Sequence, residues 1–284
     1  MVSTEDFGRF ETAWCPGCGN FSILKCVKEA LAGKDIAPHE VLFVSGIGQA
    51  AKAPHYLKCN LFNGLHGRSL PVATGAHLAN PELRIIAESG DGCNYGEGGN
   101  HFLAALRRNV NITLLVHDNQ IYGLTKGQAS PTTGREHQTK AQPGGVKREP
   151  FHPLAVAVAM QAGFVARGFS GMQEQLVALI QEALDFPGFS LVDILQPCVS
   201  FNHVNTLQWY KQRCTPLEED YDPADWEQAM VKSLAWGDSI PTGVIFKNEG
   251  STPFAEHFSV LSGGPLMHQT RDMSIVSDIM ESYA

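Results

Sequence analysis

The order strand, glycine turn, helix, strand, written into residues 83–119, admits very few folds. Leu83-Arg84-Ile85-Ile86-Ala87 is an apolar run, and Gly90-Asp91-Gly92 turns it sharply. A glycine-rich segment then leads into a helical run over 101–108, and Ile112-Thr113-Leu114-Leu115-Val116 follows. The last run is short, apolar and bounded by polar residues, as a strand covered on both faces of a parallel sheet must be. The unit is βαβ, and the fold class it predicts is α/β, a parallel sheet with helices on both faces.

Asp91 and Asn119 fall just past the carboxyl ends of two parallel strands, where sheets of this kind place their ligands. A carboxylate and an amide oxygen are hard donors. They suit magnesium, which takes few protein ligands and completes its octahedron with water and phosphate. Glycines at 90, 92, 96, 98 and 99 let backbone N–H groups approach a phosphate at a helix N-terminus. The ligand these residues predict is a magnesium diphosphate. The Gly-Asp-Gly triplet alone reads only as a tight turn; the spaced Asn and the flanking strands distinguish this one.

A Gly-Asp-Gly whose Asp is followed, twenty-eight positions later, by the Asn of an Asp-Asn pair resembles the thiamine-diphosphate motif, which usually ends in Asn-Asn. The continuation DNQIYGLTKGQAS, from Asp118 to Ser130, resembles the β subunit of the 2-oxoacid:ferredoxin oxidoreductases. The resemblance implies that Asp91, Asn119 and the backbone carbonyl of Ile121 hold Mg2+. It also implies that thiamine diphosphate lies among Gly90, Asp91, Gly92, Cys93, Asn94, Asn119, Ile121, Gly123, Leu124 and Thr125.

Seven cysteines bear on a second centre. Cys15-Pro16-Gly17-Cys18 is a CxxC turn that brings two thiols onto one metal or opposes them for disulfide exchange. A thioredoxin-like pair needs a leading strand, and the segment before Cys15 is polar. A zinc site wants a second CxxC. An iron–sulfur cluster gathers cysteines from distant points. The CPGCG form is similar to the family's β-subunit signature, which implies a [4Fe–4S] cluster held by Cys15, Cys18 and Cys198. Relatives of the archaeal type carry a cluster cysteine where this chain has Gln49, so Cys59 becomes the candidate fourth ligand, with an ordinary buried thiol as its other reading. Cys26 and Cys214 read as structural.

In Leu65-His66-Gly67-Arg68 a lone His is ordinarily a satisfied structural residue and an Arg a surface charge. The resemblance implies a place beside the cofactor for both, with His66 and Arg68 as candidate catalytic groups. Residues 128–150, rich in Ser, Thr, Gln, Pro and Gly, read as a long mobile loop over the site or against a partner. A helix over 153–163, a strand over 164–167 and an amphipathic helix over 171–186 read as scaffold. Past residue 200 the periodicity weakens. The expected organisation is a thiamine-diphosphate-binding domain with the CxxC segment over 1–200, and a C-terminal arm over 201–284 that packs on a partner subunit.

A net charge of −8 without a Lys/Arg cluster argues against nucleic acid. The sequence holds no apolar run long enough to span a membrane, and residues 1–10 lack the basic and apolar regions of a secretion signal, so the expected location is the cytoplasm.

The resemblance implies oxidative decarboxylation of a 2-oxoacid with coenzyme A, electrons passing singly through the cluster to ferredoxin, and a carboxylation in reverse. Only the diphosphate-binding half of a thiamine site is recognisable. The family therefore implies an α subunit that carries the pyrimidine-binding domain and its activating glutamate, in an (αβ)2 hetero-oligomer. SGIGQAAK and GEGGNH look most like bacterial 2-oxoglutarate enzymes, so the expected reaction yields succinyl-CoA and CO2. Pyruvate or a broad 2-oxoacid range is the alternative. Two further readings are a cluster-free thiamine decarboxylase or carboligase, and a non-catalytic electron-transfer subunit.

Overall fold

A computed structural model describes residues 1–270 and 273–284. After the CxxC loop come α1 (Asn20–Gly33), β1 (Val41–Ser45), β2 (Asn60–Asn63), α2 (Ser69–Ala79), β3 (Arg84–Gly90), α3 (Gly99–Arg108) and β4 (Ile112–Asp118). Two short strands, β5 (Ile121–Tyr122) and β6 (Gln128–Ala129), pair as a hairpin. The chain continues through α4 (Pro153–Ala159), β7 (Phe164–Phe169), α5 (Gln173–Asp185), β8 (Phe189–Leu195) and α6 (Leu207–Lys211). It then forms β9 (Cys214–Pro216), α7 (Trp226–Leu234), β10 (Ile240–Lys247) and α8 (Ile275–Glu281).

The main sheet runs β2-β1-β3-β4-β8-β7-β10-β9. Its strands are parallel from β2 through β7, and β10 lies antiparallel to β7. Strand β4 sits in the middle with all seven residues buried, as its uninterrupted apolar run requires. Successive side chains of a strand point to opposite faces. Ile86, Leu115, Val192 and Ile194 therefore join the core under α1 and α5, while Ile85, Ala87, Leu114 and Val116 join the core under α2, α3 and α4. Helices on both faces, as expected, leave the carboxyl ends of the strands open for a ligand.

Register sets the site. Gly90 pairs with His117, which brings the turn after β3 level with Asp118 and Asn119 at the end of β4. Below it, His117 Nδ1 lies 2.7 Å from Asn20 Oδ1, tying the first residue of α1 to the central strand.

Two elements differ from the sequence reading. The helix expected over 153–163 stops at Ala159, and Gln161 takes a left-handed φ of 53°. The sheet also continues past residue 200: β10 pairs with β7, and α7 packs on α4, so the stretch up to Lys247 belongs to the chain's own packed layers. Buried Arg167 fastens it, donating to the carbonyls of Lys232, Ser233, Ala235 and Pro241. The segment beyond Lys247 lies outside the sheet. Its helix α8 buries no residue.

Candidate active site

The turn after β3 passes directly into a π-helical turn, Gly92–Glu97, and then into α3. Such turns concentrate at functional sites because they re-aim side chains within a helix. Gly92 is required here: a Cβ would lie 2.2 Å from the Tyr122 ring. Gly67 is required as well. It has φ +70° and lets the His66-Gly67 turn press on the Glu97 backbone, where a Cβ would come within 2.5 Å.

These contacts close a cleft at the carboxyl ends of β1, β3 and β4. The structure brings together in its wall Gly90, Asp91, Gly92, Cys93, Asn119, Ile121, Gly123, Leu124, Thr125 and His66. Two sequence-predicted residues do not share in it. Asn94 is buried with its side chain turned inward, accepting from Ser69 Oγ at 3.3 Å and donating to the Gly90 carbonyl at 3.2 Å. Arg68 is exposed, its guanidinium near the carbonyls of Gly67 and Glu97. In this structure both support the surrounding turns.

Sequence reasoning missed three side chains at or beneath the cleft. The Glu97 carboxylate stands 3.0 Å from His66 Nδ1 and accepts from the Tyr122 hydroxyl at 3.2 Å. Thr132 Oγ1 lies 2.6 Å from Asp91 Oδ2 and 2.7 Å from Asp118 Oδ1. The GEGGNH segment contained the first; the serine and threonine run at 130–133 contained the last, but its composition reads as loop.

Asp91 is buried, and burial pushes its carboxyl up to about 6, against the hydrogen bonds of Ser130 and Thr132 that hold it down. Burial, with Asp193 and Asp91 adding like charge, raises Asp118 well above the usual carboxylate range. A threonine hydroxyl carries one hydrogen. Its two carboxyl contacts are both satisfied when Asp118 keeps its proton and donates to Thr132, which in turn donates to Asp91. Asp193, bonded to the Tyr95 hydroxyl at 2.7 Å, is pushed up to about 7 by burial.

Asp91 presents a buried carboxylate to the same cleft. With the Asn119 amide and the Ile121 carbonyl in the same cleft wall, the donors are hard oxygens, and the set fits magnesium.

The cysteines divide. Cys18 Sγ accepts from Gln196 Nε2 at 3.3 Å and Cys15 Sγ from Ser200 Oγ at 3.1 Å, so both meet the loop that carries Cys198. Burial raises the Cys18 thiol, and nearby Cys198 and Cys15 raise it further. Cys59 immediately precedes β2. It donates to the Asn60 carbonyl at 3.3 Å, and burial pushes it up to about 12, with Glu88 as its charged neighbour. Its neighbours are thus the Phe43 backbone and Glu88, while Cys15 and Cys18 meet the loop of Cys198. Among the described residues no three His, Cys, Asp or Glu side chains close into a metal-binding group.

The loop expected to be mobile over 128–150 is anchored where it begins. Ser130, Thr132 and Thr133 are buried, and Thr133 Oγ1 donates to the Gln120 carbonyl at 2.6 Å.

Comparisons with known proteins agree with this geometry. The family described as thiamine pyrophosphate enzyme, C-terminal TPP binding domain, matches residues 41–194, and the family of the C-terminal part of the pyruvate ferredoxin oxidoreductase beta subunit matches 198–263. The 2-oxoacid:ferredoxin oxidoreductase subunit beta of a Sulfolobus species is 41% identical over 249 residues, covering 83% of this chain and 82% of its own. The 2-oxoglutarate synthase subunit KorB of Archaeoglobus fulgidus is 33% identical over 251 residues, covering 88% of this chain and 90% of its own. The solved 2-oxoglutarate:ferredoxin oxidoreductase from Magnetococcus marinus, with 2-oxoglutarate, coenzyme A and succinyl-CoA bound, superimposes with a TM-score of 0.91. It is 33% identical, and the match covers 98% of this chain and 96% of that one. Among the described residues no helix is long and apolar enough to cross a membrane.

Proposed function

This chain belongs to the β subunits of the 2-oxoacid:ferredoxin oxidoreductases, and on that premise we propose that its cleft holds thiamine diphosphate through magnesium and serves the oxidative decarboxylation of 2-oxoglutarate. The observation that carries the reading is the convergence of Asp91, Asn119 and Ile121 in one cleft wall lined by glycine backbone.

Asp91, Asn119 and the Ile121 carbonyl would hold the ion, and the backbone of 90–92 would face the diphosphate. When bound, the cofactor supplies the electron sink a 2-oxoacid needs to lose carbon dioxide. The chain's own part is positioning and proton handling. His66 lines the cleft with Nδ1 against Glu97, which leaves Nε2 as the nitrogen able to exchange a proton with a bound oxygen. Leu124 and Ile121 give the cleft an apolar wall, which would exclude water around a bound cofactor.

A [4Fe–4S] cluster takes four thiolates, and this chain gathers three, Cys15, Cys18 and Cys198. The electron path to ferredoxin belongs to the assembled complex. An α subunit supplies the pyrimidine-binding half, and the coenzyme A-dependent step is completed with it. Exposed Met267, Ile275, Ile279 and Met280 make the segment after Lys247 the part that packs on this partner. The complex works in the cytoplasm. Asp91 and Asn119 in one cleft argue against a purely electron-transferring subunit.

The substrate choice rests on the 2-oxoglutarate named for the Archaeoglobus and Magnetococcus proteins. The broader name of the Sulfolobus relative favours a wide 2-oxoacid range as the second reading. The test is ferredoxin reduction by the complex co-purified with its partner under anaerobic conditions. Reduction with 2-oxoglutarate plus coenzyme A is expected; reduction with pyruvate alone would move the assignment to that substrate.

A further inference from the structure

We propose that Thr132 is a positioning residue for the metal site, its hydroxyl fixing the rotation of the Asp91 carboxylate. The inference rests on the reading that Asp91 holds the magnesium ion. Thr132 comes from a different part of the chain, forty-one residues after Asp91, and both are almost fully buried, with 4% and 1% exposure. At 2.6 Å the O–H···O contact has the length of a charge-assisted hydrogen bond to a carboxylate.

The hydroxyl cannot swing away. The turn that carries it is closed by Ser130 N–H donating to Thr133 Oγ1 at 2.8 Å, and Thr133 Oγ1 donates onward to the Gln120 carbonyl. On the other side Phe151 N–H donates to the Pro131 carbonyl at 2.8 Å. Pro131 lies under Gly96 in the π-helical turn, where an added Cβ would meet its ring at 3.4 Å. The start of the long loop is thus fastened beneath the cofactor turn, and its threonine reaches a carboxylate that lines the cleft. A ligating carboxylate with a free rotation loses affinity each time it must be ordered; one held by a neighbour does not.

A structural threonine would tolerate valine at the cost of one hydrogen bond without altering metal affinity, and metal affinity is therefore the readout. Mn2+ serves as the probe, titrated by electron paramagnetic resonance into the cofactor-stripped complex in the presence of thiamine diphosphate. Thr132→Val should weaken Mn2+ binding about tenfold to a hundredfold, the usual effect of removing a partner of a metal-ligating carboxylate. Thr132→Ser, which keeps the hydroxyl, should bind within about threefold of wild type. Wild-type affinity in Thr132→Val would overturn the inference. If Thr132→Val fails to assemble, Thr132→Cys against Thr132→Ser makes the same comparison, and equal affinities overturn it. Asp91→Asn separates the two claims: if it retains wild-type Mn2+ affinity, the metal reading itself fails; if it loses binding while Thr132→Val keeps it, only the positioning role fails.

Discussion

His66 Nδ1 and Glu97 Oε2 stand 3.0 Å apart at the cleft, and the Tyr122 hydroxyl holds the same carboxylate oxygen at 3.2 Å. With the carboxylate beside Nδ1, Nε2 is the ring nitrogen left for the cleft. Glu97→Gln should lower kcat/KM for the 2-oxoacid about tenfold with thiamine diphosphate affinity unchanged, a modest share of what an acid–base group contributes. His66→Asn should cost more, and the double variant little beyond His66→Asn, because coupled residues do not add. Additive losses in steady-state kinetics would show that the two act separately.

Cys15 and Cys18 meet the loop of Cys198, while Cys59 bonds to Asn60 and neighbours Phe43 and Glu88, which predicts unequal outcomes for cysteine variants. Cys198→Ser and Cys18→Ser should strip most of the iron from the anaerobically purified complex. Cys59→Ser should keep the wild-type content, about four irons for each cluster of this type. Gln49 reaches the CxxC segment as well: its backbone carbonyl accepts from Trp14 Nε1 at 2.8 Å, next to Cys15. Iron and acid-labile sulfide analysis decides it, and loss of iron in Cys59→Ser would place that thiol among the ligands.

Burial lifts Asp91 to about 6 and Asp193 to about 7, whereas an unfolded Asp titrates near 3.9. Between those values the folded chain binds more protons than the unfolded one, so the stability these groups contribute is full at low pH and is lost as pH rises through their folded values. Thermal unfolding of the metal-free and cofactor-free chain should show Tm falling between about pH 4 and pH 7, and Asp193→Asn should flatten the upper part of that fall. A Tm that rises over the same window would contradict the assignment of buried, proton-retaining carboxyls.

The central strands and the Asp91–Asn119 pair were legible because an uninterrupted apolar run and a fixed spacing encode them locally. Strand β10 was not, since Pro241 and Gly243 interrupt a run that otherwise reads Ile240, Val244, Ile245, Phe246, and both residues disfavour sheet interiors. Thr132 and Glu97 escaped for another reason. Hydroxyl-rich loop sequence looks solvated, and only the tertiary fold shows that Asp91, Asp118 and the Gln120 carbonyl satisfy those hydroxyls in the interior.

The most direct measurement is calorimetric titration of thiamine diphosphate into the complex, stripped of metal and cofactor, with and without magnesium, for wild type and Asp91→Asn. Binding that requires magnesium in the wild type and disappears in Asp91→Asn is the result expected of a cleft built around that carboxylate. Binding of equal strength without magnesium, or unchanged in Asp91→Asn, would contradict it.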